Sequence, residues 1–474
     1  MMRRMTVATL LLLLAVPAAA QAEDRQRERV GNLLAVSTKL LASGVFVSGR
    51  TVDDMLQNDL APASMGLLPI ADLEVDLDEE RKRVTLTLPG FEPRTAVYLG
   101  DQGCTLLPEG EDAVFFEPLA VTPDLPDPAT QDWPMGDRNA LQLPEGVDSD
   151  EINAILDFAF DDSLHRQPQH TRALVAVYDG HIIAERYAPG FDQDTRHISW
   201  SMGKSITSAL IGVLVHQGAL EIEQPAPIPR WHAEPDDPRA AITVTHLLHM
   251  SGGLDWDRGD FAAGTALTSN DDHTKVYFGA IDVFEASLEA GPRHEPGTVW
   301  RYLNCDTLSL GWLIKDIVEA RGEDYLAFPQ RALFDKLGMR RMVLECDPWG
   351  HFIMTGFNYA TARDWARFGM LHVNDGVWQG ERILPEGWVD FVRTPAPASE
   401  PENYGAQFWL NAGNQYENLP EDMFWAAGQY GQHCYIIPSR NLVLVRLGHS
   451  VSGGTGEYIG EILQRLLAAL PESE

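Results

Sequence analysis

The sequence predicts an α/β fold. One sheet is gathered from distant parts of the chain and flanked by helices, with a mostly helical subdomain and an N-terminal extension. Three observations carry this expectation. Ala173 to Tyr178 and His181 to Tyr187 are strand-like runs around Asp179-Gly180, a pair that favours a tight hairpin turn. A second such pair, Cys434 to Ile437 and Leu442 to Leu447, brackets Pro438-Ser439-Arg440-Asn441 almost at the other end of the chain. Between them, residues 240 to 380 read as helices and long loops, so the strands must meet across a helical insertion.

The remaining elements follow in order. Arg3 and Arg4, the apolar run Thr6 to Val16 and the small-x-small triplet Ala20-Gln21-Ala22 read as an export signal over residues 1–22. The run is too short for a membrane span. The expected location is therefore periplasmic or secreted, with no stable membrane insertion once the signal is removed. Residues 23–145 form an N-terminal extension and connector. Arg29 to Leu41 is helical in pattern. Leu73, Val75 and Leu77, then Val84, Leu86 and Leu88, alternate with polar residues as a half-buried hairpin does. The proline-rich stretch from Pro118 to Pro144 reads as an extended connector on the surface of the next domain. Residues 146–474 are the main domain. Ile152 to Phe160 is a helix. Ser201 to His216 is a helix apolar nearly all round, stopped by Gly218. Tyr458 to Leu470 is a closing amphipathic helix.

Composition excludes some functions. Asp plus Glu is 69 against Lys plus Arg at 36, a net charge of −33, which repels nucleic acid and anionic lipid. The four cysteines, Cys104, Cys305, Cys346 and Cys434, have no C-x-x-C spacing and read as small buried apolar side chains. His246 and His249 share a helix face, but no carboxylate completes a ligand set, so neither metal nor other cofactor is expected. No nucleophile elbow, P-loop or dinucleotide fingerprint is present.

The chemistry is carried by Ser201-Met202-Gly203-Lys204. A spacing of three puts both side chains on one helix face. A serine hydroxyl is a weak nucleophile until a base takes its proton, and a desolvated lysine can do that. Only six lysines occur in the chain, so one inside an apolar helix wants a reason. Arginine, the default cation here, cannot give up a proton. A hundred residues on, Tyr302 and Asn304 point the same way if the backbone is extended. The phenol could relay the serine proton, and the amide could hold the lysine head or a substrate carbonyl. The third element is Phe424-Trp425-Ala426-Ala427-Gly428-Gln429-Tyr430-Gly431-Gln432, whose glycines let a substrate approach the backbone.

Together these motifs resemble the serine β-lactamase and penicillin-binding protein superfamily, in its class C, esterase and 6-aminohexanoate-dimer hydrolase branch. Ile242 to Leu254, Pro296 to Tyr302 and Thr361 to Gly369 match as well, and the resemblance covers roughly residues 150–470. It implies a β-lactamase-like sheet beside a helical subdomain with the active site between them. It further implies Ser201 as the acylated nucleophile, Lys204 and Tyr302 as paired base and acid, and Asn304 as their support. The N–H groups of Ser201 and Gln429 would form the oxyanion hole, and Ala427 and Gly428 would line the substrate strand. The third motif departs from the family: where β-lactam binders carry Lys or His followed by Thr-Gly, this chain has Ala426-Ala427-Gly428, and no lysine follows Lys336. His433 reads as a strand residue.

The expected function is an exported serine hydrolase that acts through an acyl-enzyme on small-molecule carboxylic esters or linear amides. Its rivals are a β-lactamase or D-amino-acid peptidase on the same scaffold, and a non-catalytic acyl-binding or sensor protein. Trp256, Phe261, Tyr277, Phe278, Phe284 and Trp300 are either helical core or a wall over the cleft. Arg363 and Asp364 read as a structural ion pair.

Overall fold

A computed structural model of the chain describes residues 18–64, 66–257, 271–451 and 455–471. Most of the expected export signal and Phe261 lie outside them. Helix α1 (Ala18–Phe46) includes the expected Arg29–Leu41 stretch and runs on to both sides of it. It packs on an antiparallel sheet in the order β1 (Glu74–Asp78), β2 (Arg83–Thr87), β3 (Arg94–Tyr98), β4 (Cys104–Leu106). The first two strands are the expected hairpin, with Val75 opposite Leu86 and Leu77 opposite Val84. The last strand has only three residues, and Cys104–Leu106 is buried throughout, so it lacks the alternation of burial that marks a half-exposed strand.

The main sheet has six antiparallel strands in the order β7-β8-β9-β10-β5-β6. These are β5 (Thr171–Tyr178), β6 (His181–Tyr187), β7 (Trp409–Leu410), β8 (Phe424–Gly428), β9 (Gln432–Ile437) and β10 (Leu442–Gly448). The two distant hairpins therefore meet as expected, through the pairing of β10 with β5. Asp179 and Gly180 turn with φ of 47° and 81°, the left-handed pair a tight right-twisting hairpin needs. One face of the sheet is covered by α2 (Ser149–Phe160) and the C-terminal helix Thr455–Ala469 around a core that includes Ile155, Tyr435, Leu444 and Ile462. The other face carries α3 (Gly203–His216), α4 (Asn304–Ala320) and α5 (Ala362–Val373). Leu34, Leu41, Val84 and Leu106 of the extension belong to this same core.

The connector lies on the surface as an irregular strap. It is held where Arg340 donates to Pro126 O at 2.9 Å and Arg367 donates to Pro134 O at 2.7 Å. All four cysteines are buried free thiols. Arg363 and Asp364 are structural, but they do not pair with each other as the sequence suggested. Arg363 makes a bidentate bond to Glu185, both contacts at 2.7 Å, and Asp364 faces Arg367 at 3.3 Å, because neighbours on a helix point in different directions. His246 closes a capping box with Thr243.

Among the described residues, one group could hold a metal ion: Asp282, Asp347 and His351. Its carboxylates are already engaged. Asp282 caps a helix through Glu285 N–H, and Asp347 accepts from the N–H groups of Val283, Trp349 and His351. Burial alone would lower the His351 pKa, but Asp282 at 3.0 Å and Asp347 at 3.3 Å override it and push it up to about 9. Folding raises this pKa, so the stabilisation is complete below the free histidine value of about 6.5 and is lost as pH rises through the folded one. Urea unfolding should show a stability excess of wild type over His351→Gln on the order of 2–3 kcal/mol near pH 6. The excess should vanish near pH 10; a pH-independent difference would contradict it.

Candidate active site

The Ser201 turn precedes α3 rather than opening it. Ser201 sits in a 3-10 turn, Trp200–Met202, because Trp200 adopts a left-handed φ of 48° that no α-helix tolerates. Several groups around it are held by other segments. Ser199 N–H donates to Asn358 O at 2.8 Å, and Asn358 Nδ2 donates to Trp200 O at 2.8 Å. Trp365 of the Thr361–Gly369 motif donates its indole N–H to Ser199 Oγ at 2.8 Å. The Trp200 ring lies 5.4 Å from Phe357, 5.9 Å from Tyr277 and 6.0 Å from Tyr430.

Lys204 is 1% exposed, one turn further on. Its Nζ donates to Ser201 Oγ at 3.1 Å and to Thr355 O at 3.4 Å. It also lies over the Tyr302 ring, 4.7 Å from the centroid, where the negative ring face favours a cation. Ser201, Lys204 and Tyr302 are thus brought together.

Asn304 is placed differently from the sequence expectation. It is the first residue of α4, not a strand residue beside Tyr302. Its Nδ2 donates to His273 O at 2.6 Å and to the Tyr277 hydroxyl at 3.0 Å, so the amide nitrogen is occupied by these partners. The His273 carbonyl fixes the amide orientation, and the Oδ1 left over is buried with no hydrogen-bond partner. Tyr277 in turn donates to Thr355 O at 2.8 Å, the carbonyl that also receives Lys204. Burial pushes its phenol up to about 12, so it stays a donor. Asn304 therefore reaches the lysine through Tyr277 and Thr355.

His273, Tyr277 and Thr355 were not singled out for this role by the sequence; Tyr277 appeared only as core or wall. Trp256, Phe278 and Phe284 are core, whereas Trp300 packs with Met250, Tyr302, Tyr404 and Trp409. Tyr404 and Trp409 are 5.8 and 5.6 Å from the Tyr302 ring and carry no sequence signal, being a hundred residues away in the chain.

The third motif is strand β8 followed by a tight turn, Gln429–Gly431, with Tyr430 at φ 61°. β7 pairs with β8 only at Phe424 and Trp425. Gly428 abuts the Ser201 turn: a Cβ on it would lie 2.1 Å from Ser199 O. Ala427 is half-buried beside it, and Ala426 is wholly buried, facing the helices. His433 is a strand residue opposite Ala427, and burial holds its ring neutral with a pKa near about 3.

Fold and site together define a serine hydrolase of the β-lactamase type. Residues 160–468, well over half the chain, match the family model described as Beta-lactamase, and the chain belongs to that family. It is 24% identical over 295 residues to the 6-aminohexanoate-dimer hydrolase of Paenarthrobacter ureafaciens, covering 58% of this chain and 72% of that one. A Bacillus anthracis structure described as a candidate 6-aminohexanoate-dimer hydrolase superposes with a TM-score of 0.55 at 19% identity, covering 90% of this chain and 98% of that one. A family VIII carboxylesterase superposes with a TM-score of 0.52 at 14% identity, covering 70% and 99%. At these identities the structures share the fold. No described helix is long and apolar enough to cross a membrane.

The approach of Gly428 to Ser199 gives a test. The φ of Gly428 is −130°, so alanine is acceptable to the backbone and the clash alone decides. Gly428→Ala should push the strand end and the nucleophile turn apart and slow labelling by a serine-directed fluorophosphonate about a hundredfold, the scale of an ångström's misplacement. Labelling at the wild-type rate would show that the contact is not part of the site.

Proposed function

We propose that this chain is an exported hydrolase, periplasmic or secreted, that cleaves carboxylic esters or linear amides through an acyl-enzyme on Ser201. The observation that carries the reading is the buried Lys204 amine, 3.1 Å from Ser201 Oγ and over the Tyr302 ring. Ser201 Oγ attacks the carbonyl carbon as its proton passes to the Lys204–Tyr302 pair. The oxyanion meets the N–H groups of Ser201 and Gln429. The same pair returns the proton to the departing alcohol or amine. Water then attacks the acyl group with the pair as base, and the carboxylate leaves. Asn304 steadies the lysine through Tyr277 and Thr355. The substrate lies along the edge of β8 at Ala427 and Gly428, beyond the reach of β7. No metal or other cofactor takes part in this scheme. The relatives' names, a linear-amide hydrolase and a carboxylesterase, support this substrate class.

Ser201→Ala should abolish covalent labelling by a fluorophosphonate while the circular dichroism stays unchanged. Lys204→Arg should be nearly as damaging as Lys204→Ala, with kcat down on the order of a thousandfold, because arginine keeps the charge but not the proton transfer. A near-normal Lys204→Arg variant would reduce Lys204 to a fixed charge.

A β-lactam is held partly by its ring carboxylate, which needs a cation or hydroxyl on the strand beside the nucleophile. Ala426 and Ala427 supply neither. A charged hydrogen bond contributes about 1.5–3 kcal/mol, so nitrocefin should be turned over roughly tenfold to a hundredfold less efficiently, in kcat/KM, than p-nitrophenyl butyrate. Nitrocefin at or above the ester would favour the β-lactamase reading instead.

A further inference from the structure

The N-terminal extension lies outside the family match, yet one of its residues reaches the segment that holds the Ser201 turn. Lys39 of α1 is 1% exposed and Glu345 is wholly buried. They pair at 2.7 Å. The rest of this lock also comes from the extension. Ser43 Oγ and Cys104 N–H each donate to Glu345 Oε1 at 2.8 Å, and Lys39 donates to Cys104 O. The same lysine amine lies 4.4 Å from the centroid of the Phe357 ring.

Phe357 belongs to a short segment that serves every part of the nucleophile turn. Thr355 O receives Lys204 and Tyr277. Phe357 packs on Trp200 at 5.4 Å and on Tyr277 at 5.8 Å. Asn358 holds Ser199 N–H and Trp200 O. Phe357 and Trp200 both sit in the left-handed region, at φ 49° and 48°. Such a backbone is strained in a bulky residue, and the geometry persists only where its surroundings over-determine it. Lys39 is one of the neighbours that bound the Phe357 ring.

We infer that the N-terminal extension positions the nucleophile. Lys39 acts through Phe357, keeping residues 355–358 in the strained arrangement that presents Thr355 O to Lys204 and Asn358 to the Ser201 turn. Lys39 is a positioning residue and touches no substrate. The inference rests on Ser201 being the nucleophile, which labelling of the wild-type chain decides separately.

The test compares full-length variants. Lys39→Met with Glu345→Gln replaces the ion pair by a neutral pair of similar size, a change that buried pairs often tolerate. The glutamine can still accept from Ser43 and Cys104 N–H. Phe357→Leu removes the ring and leaves the ion pair. Lys39→Arg keeps a cation over the ring. The first two should lower the fluorophosphonate labelling rate tenfold or more, with circular dichroism unchanged. With p-nitrophenyl butyrate their loss should fall on kcat rather than KM. Lys39→Arg should recover most of the rate. Combining the neutral pair with Phe357→Leu should cost no more than Phe357→Leu alone, since both break one chain of contact.

Wild-type labelling rates in the folded neutral-pair variant, or in Phe357→Leu, would overturn the inference, and so would additive losses. If the neutral pair does not fold, Phe357→Leu and Lys39→Arg still decide: normal kcat in Phe357→Leu, or a Lys39→Arg chain as slow as Phe357→Leu, overturns it. An unlabelled wild type would instead refute the assignment of Ser201.

Discussion

An amine at 1% exposure is expensive to bury, and the site is organised around keeping Lys204 there. A serine oxygen, a backbone carbonyl and an aromatic face are among the groups around it. Thr355, Tyr277, Asn304 and His273 extend the arrangement outward, each using a donor or acceptor that would otherwise be stranded in the core.

The second constraint is strain. Trp200, Phe357 and Tyr430 are bulky residues with left-handed backbones, and the rings of the last two pack on Trp200. The left-handed residue before Ser201 sets the start of the 3-10 turn that leads into α3, and Gly428, Asn358 and Trp365 close around that turn. Motifs widely spaced in sequence are therefore parts of one clamp, which is why Thr361–Gly369 accompanies Ser201–Lys204 while contributing no reactive group.

How much of this was legible depended on whether it was local. The serine–lysine spacing is a property of one helical turn, and the two hairpins advertise themselves by turn residues and apolar runs. The helical start at Ser201 was misread because nothing in the letters Ser-Trp-Ser-Met announces a positive φ at a tryptophan. Asn304 was misread because helix α4 begins at it, while Tyr302 lies before the helix, so the two do not belong to one strand. Tyr277, Thr355, Tyr404, Trp409 and Lys39 were invisible as site residues because their partners are brought up by other parts of the fold. The short strand Cys104–Leu106 hid for a related reason: buried on both sides, it shows no period.

The strand order has a consequence for how the chain comes off the ribosome. The first hairpin of the main sheet pairs with the last strand, Leu442–Gly448, so an apolar sheet edge at Thr171–Tyr178 waits unpaired through most of synthesis. Such an edge is sticky and invites the attention of chaperones. Ser201 and Lys204 are made well before Gly428 and the turn that follows it. A nascent chain therefore carries Ser201 before the groups that close around its turn, and they are gathered only when Leu442–Gly448 slots into the middle of the sheet beside Thr171–Tyr178.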